Sequence, residues 1–455
     1  MIKYQTTKQL SIEEFKTPFE LKLHASNRWV KLSSLIPWEE LVSIYTKSMS
    51  RDKGAPGIDA RIAVGALLIK HRLSFSDEET IETIRENPYL QYFLGLNVYH
   101  PEPLFDTSLF VTLRKRMGLQ QWDAFNKLII QQAQGIDIEG ADGDEPNPNI
   151  GMLQIDATVS DQYIKYPTDI ELLNDSREWS QKIIDEIYVK SDIEKKPRTY
   201  RRIARKEFLM IAKKKNKKKK ELRKAIRKQL NYLKRNFIYI EKMLDEFKEH
   251  RFPLSKRSQR YYWVIQEVYL QQLQMYSEKN NSCADRIVSI HQPHVRPIVR
   301  GKSGKKVEFG SKMSLSLDNG YSRINRLSWD AYNESTDLKD QVEAYKSIHG
   351  YYPDLVNSDR IYANRENRMW LKERGIRQTA SPLGRKSSQQ ETPYQKRKRK
   401  KEARERNQIE GKFGQGKNAY ELNRIRARLS ATSESWIGCT FCVMNLVKLY
   451  QQFSI

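Results

Sequence analysis

Three carboxylates in this chain of 455 residues stand where a carboxylate needs a reason. Asp156 lies in the middle of M-L-Q-I-D-A-T-V-S, residues 152–160, an apolar and β-branched run that reads as a strand. Burying it unpaired would cost on the order of several kcal/mol. Asp359 closes V-N-S-D-R-I-Y, where a strand ends and the chain turns at once into a helix. Side chains at strand ends in α/β sheets project into a shared crevice, although an aspartate there also serves as an ordinary helix N-cap. Glu410, in R-N-Q-I-E-G-K-F-G-Q-G-K, falls on a long helical segment, with Lys417 two turns further on the same face. Three converging carboxylates repel one another unless a divalent cation neutralises them, and hard oxygen donors suit Mg²⁺ or Mn²⁺. Taken singly, each acid has an ordinary surface reading. Glu402, Glu405 and Glu421 lie near Glu410, Gly411, Gly414 and Gly416 lower the helix propensity around it, and Lys417 reads equally as a solvated lysine.

The elements that must position these acids follow from pattern. Residues 1–134 read as all-helical, with apolar positions at helical spacing in I-P-W-E-E-L-V-S-I-Y and I-D-A-R-I-A-V-G-A-L-L-I-K-H-R-L. In S-F-S-D-E-E-T-I-E, Ser76 is placed as an N-cap with acids in the first turn. Residues 135–150 are rich in Gly, Pro, Asn and acids and read as a linker. The Asp156 strand, within 151–167, precedes a long helical insert, 168–284. There Ile226, Leu230, Leu233, Phe237, Ile240, Leu244 and Phe247 make an a/d seam. After R-F-P-L-S, a second run with Tyr261, Ile265, Val268 and Met275 folds back as an antiparallel hairpin, or else the seam serves dimerisation. From 285 to 455 the pattern is α/β. R-I-V-S-I-H, K-V-E-F-G-S-K-M-S-L-S-L and S-R-I-N-R-L-S-W read as strands, the last two joined by a turn at Asp318, Asn319 and Gly320. A helix over 336–349, the Asp359 strand, a helix over 364–374, a small strand, a helix over 402–428 and an apolar helix over 434–453 complete it.

Charge narrows the function. The net +25 is carried by two blocks: residues 195–235 hold 20 Lys and Arg against Glu207 and Glu221, and residues 385–406 hold 10 against three Glu. Blocks of this kind are what phosphate neutralisation of a nucleic acid requires. Arg296, Arg300, Lys302, Lys305 and Lys306, in R-P-I-V-R-G-K-S-G-K-K, form a further candidate grip on a DNA backbone. No run reaches the roughly 18 apolar residues of a membrane span, no apolar leader follows Met1, and three cysteines make a disulfide framework unexpected. The expectation is a soluble cytoplasmic protein. Cys439 and Cys442 in C-T-F-C could join Cys283, His291 and His294 at zinc, but their apolar helical setting favours plain core.

A strand Asp, a strand-end Asp and a helix Glu is the layout of a ribonuclease-H-like centre. From Asp156 onward the chain resembles the DDE transposases of bacterial insertion sequences, the InsH-like group. The resemblance rests on L-Q-I-D-A-T-V, Y-P-T-D-I-E-L-L-N-D-S-R-E, R-I-V-S-I-H-Q-P-H-V-R-P-I-V-R-G-K, V-N-S-D-R-I-Y-A-N-R-E-N-R and I-E-G-K-F-G-Q-G-K, with residues 31–118 similar to that group's helical N-terminal domain. It implies an α/β fold with a ribonuclease-H-like core, interrupted by the helical coiled-coil insert and preceded by an all-α DNA-binding domain. It implies Asp156, Asp359 and Glu410 as catalytic, metal-holding acids, with two Mg²⁺ or Mn²⁺ ions per site, and Lys417 as the basic residue after the Glu. The implied partners are double-stranded DNA, as terminal inverted repeats and as target, and a second copy of the chain. Competing expectations are a non-catalytic DNA-binding protein and a nuclease that cuts without joining.

Overall fold

The computed structural model describes residues 15–17, 22–47, 49, 57–135, 148–247, 252–299, 307–379 and 392–453. Its chain divides into two compact units. One comprises residues up to Gln162, Lys312–Ser328 and Tyr332 onward; the other comprises Tyr163–Ser311 with Trp329–Ala331.

Among the described residues the first unit begins with seven helices: α1 (Arg28–Leu35), α2 (Trp38–Thr46), α3 (Ala60–Leu73), α4 (Asp77–Glu86), α5 (Pro88–Phe93), α6 (Leu109–Arg116) and α7 (Leu119–Gln134). Ser76 caps α4 in a full capping box with Glu79, which satisfies two N-terminal amides reciprocally. Strands follow as β1 (Met152–Asp161), β3 (Val307–Asp318, of which Lys312–Asp318 lie in this unit), β4 (Tyr321–Ser328), β5 (Leu355–Ser358) and β6 (Arg377–Gln378); β2 (Arg296–Val299) and the first residues of β3 belong to the second unit. Within the first unit β3, β1, β5 and β6 lie side by side in that order, and β4 pairs with β3. The β3–β4 hairpin closes through Asn319 and Gly320, both at positive φ (47° and 79°), as a tight two-residue turn requires. β1, β5 and β6 are parallel, so a helix must cross between β5 and β6, and α13 (Arg365–Glu373) does so. The α12 helix (Leu338–His349) buries Leu338, Val342 and Tyr345 in one cluster with Leu153 and Ile155 of β1. Gly151 enters β1 at φ +85°, with the Tyr345 hydroxyl 2.5 Å from where a Cβ would stand.

Two long helices finish the unit, α14 (Pro393–Ala419) and α15 (Ser430–Phe453). The apolar C-terminal segment is a central helix. Trp436, Ile437, Phe441, Cys442 and Leu446 share one core with α3, α6, α7 and the inner face of β3. Asn445 Nδ2 donates to Asn126 Oδ1 (2.7 Å) and to the Ser322 carbonyl (2.7 Å), joining α15, α7 and β4 through a satisfied buried network. Cys442 Sγ donates to the Trp122 carbonyl, and burial pushes both the Cys439 and Cys442 thiols up. They are core residues.

The second unit is helical: α8 (Asp169–Val189), α9 (Arg201–Ala212), α10 (Lys219–Asp245) and α11 (Lys256–Glu278). The seam residues Leu230, Leu233, Phe237 and Ile240 are buried against Leu173, Ile183, Ile184 and Ile187 of α8 and Ile265 and Val268 of α11. The hydrophobic face of α10 is thus divided between two partners. R-I-V-S-I-H does not form a strand. Ile287, Val288 and Ile290 are buried, and the Ile287 amide donates to Gln271 Oε1 (3.0 Å) on α11 rather than to a neighbouring strand. β2 runs antiparallel to the opening residues of β3, Val307 to Gly310. Among the described residues no helix is long and apolar enough to cross a membrane.

Candidate active site

Register brings the first two acids together. β1 and β5 pair in parallel up to Ile155 against Ser358, so Asp156 and Asp359 are the next residues on adjacent strands. Asp156 Oδ1 accepts from the Ala157 amide at 2.8 Å. Asp359 caps a short 3-10 turn, Arg360–Tyr362, its Oδ1 accepting from the Arg360 amide at 2.7 Å. The capping role is therefore real, and it coexists with a place at the strand end beside Asp156.

The third acid is positioned by the docking of α14. Ile409, Phe413 and Gly416 are buried at helical spacing, which sets one face of α14 on the unit. Gln154 Nε2 of β1 donates to Gln408 Oε1 (3.1 Å), and Asn357 Nδ2 of β5 donates to the Glu402 carbonyl (2.7 Å). Both strands that carry an aspartate thus hold the same helix. The predicted start of this helix, 402, is too late and its end, 428, too far: residues 393–401 are helical although almost wholly polar. The helix stops at Ala419 before Glu421 at φ +55°. The glycines do not break it. A Cβ on Gly411 or Gly414 would meet nothing within 4 Å, whereas one on Gly416 would stand 2.6 Å from Leu422 Cδ1. Lys417 is half-buried near the end of the same helix.

One residue that sequence reasoning missed stands among the three acids. Arg406 Nη1 lies 3.2 Å from Asp359 Oδ1, and its Nη2 lies 3.7 Å from Glu410 Oε1. The side chains of Asp359 and Glu410 are 57 % and 59 % exposed and that of Arg406 31 %, so this centre opens to solvent. The i,i+4 spacing of Arg406 and Glu410 was visible in R-N-Q-I-E, but it reads as a common surface pair. Asp156 is the more enclosed acid. Burial, followed by the nearby Glu334 and Asp359 carboxylates, pushes its carboxyl up to about 6, against the lowering effect of the Ala157 amide and Arg406. Glu334 is a fourth acid that the sequence did not single out; Lys312 of β3 holds it at 2.5 Å.

The donor set has the chemistry of a hard-cation site: carboxylate oxygens on a strand, a strand end and a helix, with one of them already resisting ionisation. As they stand, however, no three His, Cys, Asp or Glu side chains among the described residues converge closely enough to hold an ion. The Arg406 guanidinium faces one oxygen of Asp359 and one of Glu410.

The predicted DNA-gripping loop is seen only in part. Arg296 belongs to the helical unit, where it donates to the Pro293 carbonyl and lies 3.8 Å from Asp330. Arg300, Lys302, Lys305 and Lys306 lie outside the described residues.

Comparison with known proteins adds two matched families. Residues 356–447 match the family described as a transposase DDE domain, and residues 18–116 match a transposase domain (DUF772). The first span contains Asp359, Arg406, Glu410 and Lys417 and leaves Asp156 outside it. The chain is also 28 % identical over 158 residues to an uncharacterised protein, ORF8 in the nfe locus of Rhizobium meliloti, covering 35 % of this chain and 73 % of that one. No solved structure matches.

Proposed function

We propose, on the two matched transposase domains, that the chain is a DDE transposase of the insertion-sequence type, and that Asp156, Asp359 and Glu410 are the three acids of its catalytic centre. The observation that carries the proposal is the parallel register of β1 and β5, which sets Asp156 beside Asp359 under the helix bearing Glu410. An antiparallel hairpin beside β1, followed by parallel β5 and β6 with helical crossovers, is the arrangement expected of a ribonuclease-H-like core. The helical unit is then an arm inserted after its first strand. The sequence motifs that resemble the InsH-like group support that subgroup as the proposed one.

Asp156, Asp359 and Glu410 would hold divalent cations of the Mg²⁺ or Mn²⁺ kind, two by family resemblance. Such ions, when bound, lower the pKa of water and stabilise charge on phosphoryl oxygens. The chain's own contribution is positional. Backbone amides of Ala157 and Arg360 orient the two aspartates. Two side-chain hydrogen bonds fix α14 against the strands, and near-neutral pH keeps Asp156 ionised. No side chain need become a covalent nucleophile, because a 3′-OH freed at the element's end can itself attack a target phosphodiester. DNA enters as terminal inverted repeats, read by the N-terminal helices, and as target. Lys417, Arg296, Arg300, Lys302, Lys305 and Lys306 are proposed contacts to its backbone. Holding two ends at once calls for a dimer, and the setting is the bacterial cytoplasm.

The test is a cleavage and strand-transfer assay on linear DNA carrying the element's ends, with Mg²⁺, Mn²⁺ or EDTA. Metal-dependent nicking and joined products, both lost in Asp156→Asn, are expected. Binding without cleavage under any metal would assign the chain a non-catalytic role, and cleavage without joining would make it a nuclease.

A further inference from the structure

We infer that Arg406 is a built-in counter-ion of the acidic centre, which bridges Asp359 and Glu410 until divalent cations displace it. The inference rests on the reading of those acids as metal ligands. Its basis is geometric: two nitrogens of one guanidinium point at two different carboxylates, one on the helix and one at the strand end. An i,i+4 pair alone would engage only Glu410. The second contact, to Asp359, crosses from α14 to the end of β5 and ties the two elements at the centre itself.

A guanidinium suits this task. It stays charged at every working pH, its planar fork can serve two acceptors at once, and it is more weakly hydrated than an ammonium. With neither Arg406 nor a cation, Asp359, Glu410 and Asp156 would lose the positive charge that offsets their repulsion. A divalent ion brings twice the charge and several open coordination positions to the same oxygens. The guanidinium faces one oxygen of each carboxylate, so an ion that takes Asp359 Oδ1 and Glu410 Oε1 competes with Arg406 for them, and binding of one weakens the hold of the other. The centre is thereby kept ordered yet closed to chemistry until metal arrives.

The test is Mn²⁺ binding to the full-length protein without DNA, followed by the electron paramagnetic resonance signal of free Mn²⁺. The variants are Arg406→Met, which keeps the length and removes the charge, Arg406→Lys and Asp156→Asn. Arg406→Met is expected to bind Mn²⁺ about fivefold more tightly or better, the lower end of ordinary coupling between competing states. Arg406→Lys, whose single ammonium cannot span both acids, is expected to fall between Met and wild type. A merely structural arginine predicts weaker binding in both variants. Unchanged or weaker binding in Arg406→Met, with wild-type binding abolished by Asp156→Asn, overturns the counter-ion and leaves the metal site standing. Mn²⁺ binding that Asp156→Asn does not weaken overturns the metal-site reading itself, and this inference with it. If Arg406→Met fails to fold, judged by its melt, Arg406→Lys alone decides: binding no tighter than wild type overturns the inference.

Discussion

The carboxyl of Asp156 is pushed up to about 6 by burial first, and then by the company of Glu334 and Asp359. An acid whose pKa is raised in the folded state weakens that state as pH climbs past its unfolded value, and the full penalty is present above the folded one. Asp156→Asn keeps an oxygen for the Ala157 amide and removes the charge. In metal-free protein at pH 7.5 the variant should therefore be more stable than wild type by about 1–2 kcal/mol, after discounting for partial solvent screening. The advantage should shrink as pH falls below about 6 and approach zero only below about 3, where Asp156 is protonated in both states. Urea unfolding at a series of pH values measures this. An advantage that did not vary with pH, or a loss of stability at pH 7.5, would mean that Asp156 is not the strained group described. Added Mn²⁺ should reverse the order, since only the wild-type centre gains from binding it.

Within α14 the glycines separate by what surrounds them. Gly416→Ala puts a methyl 2.6 Å from Leu422 Cδ1 in a packed corner, and should cost about 1–3 kcal/mol. Gly411→Ala meets no atom within 4 Å and replaces a helix-interior glycine, so a gain of about 0.5–1 kcal/mol is expected. Thermal melts of the two variants without DNA should move in opposite directions. This helix also marks where sequence reading succeeds and where it stops. Signals local in the chain were legible: the Ser76 cap, the turn at Asp318, Asn319 and Gly320, and the strands leading into Asp318 and Asp359, which end at Asp318 and Ser358. The first turns of α14 were not, because K-R-K-R-K-K has no apolar period and forms a helix without one. R-I-V-S-I-H failed in the other sense. Its β-branched composition is that of a strand, yet its amide is served by a glutamine side chain. The acids could be found one by one from their surroundings, whereas Arg406 gains meaning only once β5 and α14 are adjacent. No local pattern encodes that adjacency.

At the scale of the whole molecule, charge is concentrated rather than spread. The segment that joins α9 to the first residues of α10, 213–220, is exposed along its length and carries seven lysines. Replacing Lys217, Lys218, Lys219 and Lys220 with glutamine should flatten the dependence of log K on log salt for DNA binding. The slope should change by about 0.9 for each phosphate that these lysines neutralise. A slope unchanged by all four substitutions would show that this segment does not meet DNA. A different consequence follows from the central place of α15. The core of the N-terminal helices is closed by Trp436, Phe441 and Leu446, and Asn126 of α7 is paired with Asn445. During synthesis on the ribosome, those helices emerge hundreds of residues before the segment that covers them. β1 likewise waits for β5. The nascent chain therefore leaves Trp122 and Phe125 without the cover of Trp436, Phe441 and Leu446 until α15 is made. A ribosome that stalls or terminates before α15 releases a chain whose N-terminal helices still expose the apolar surface that α15 would bury.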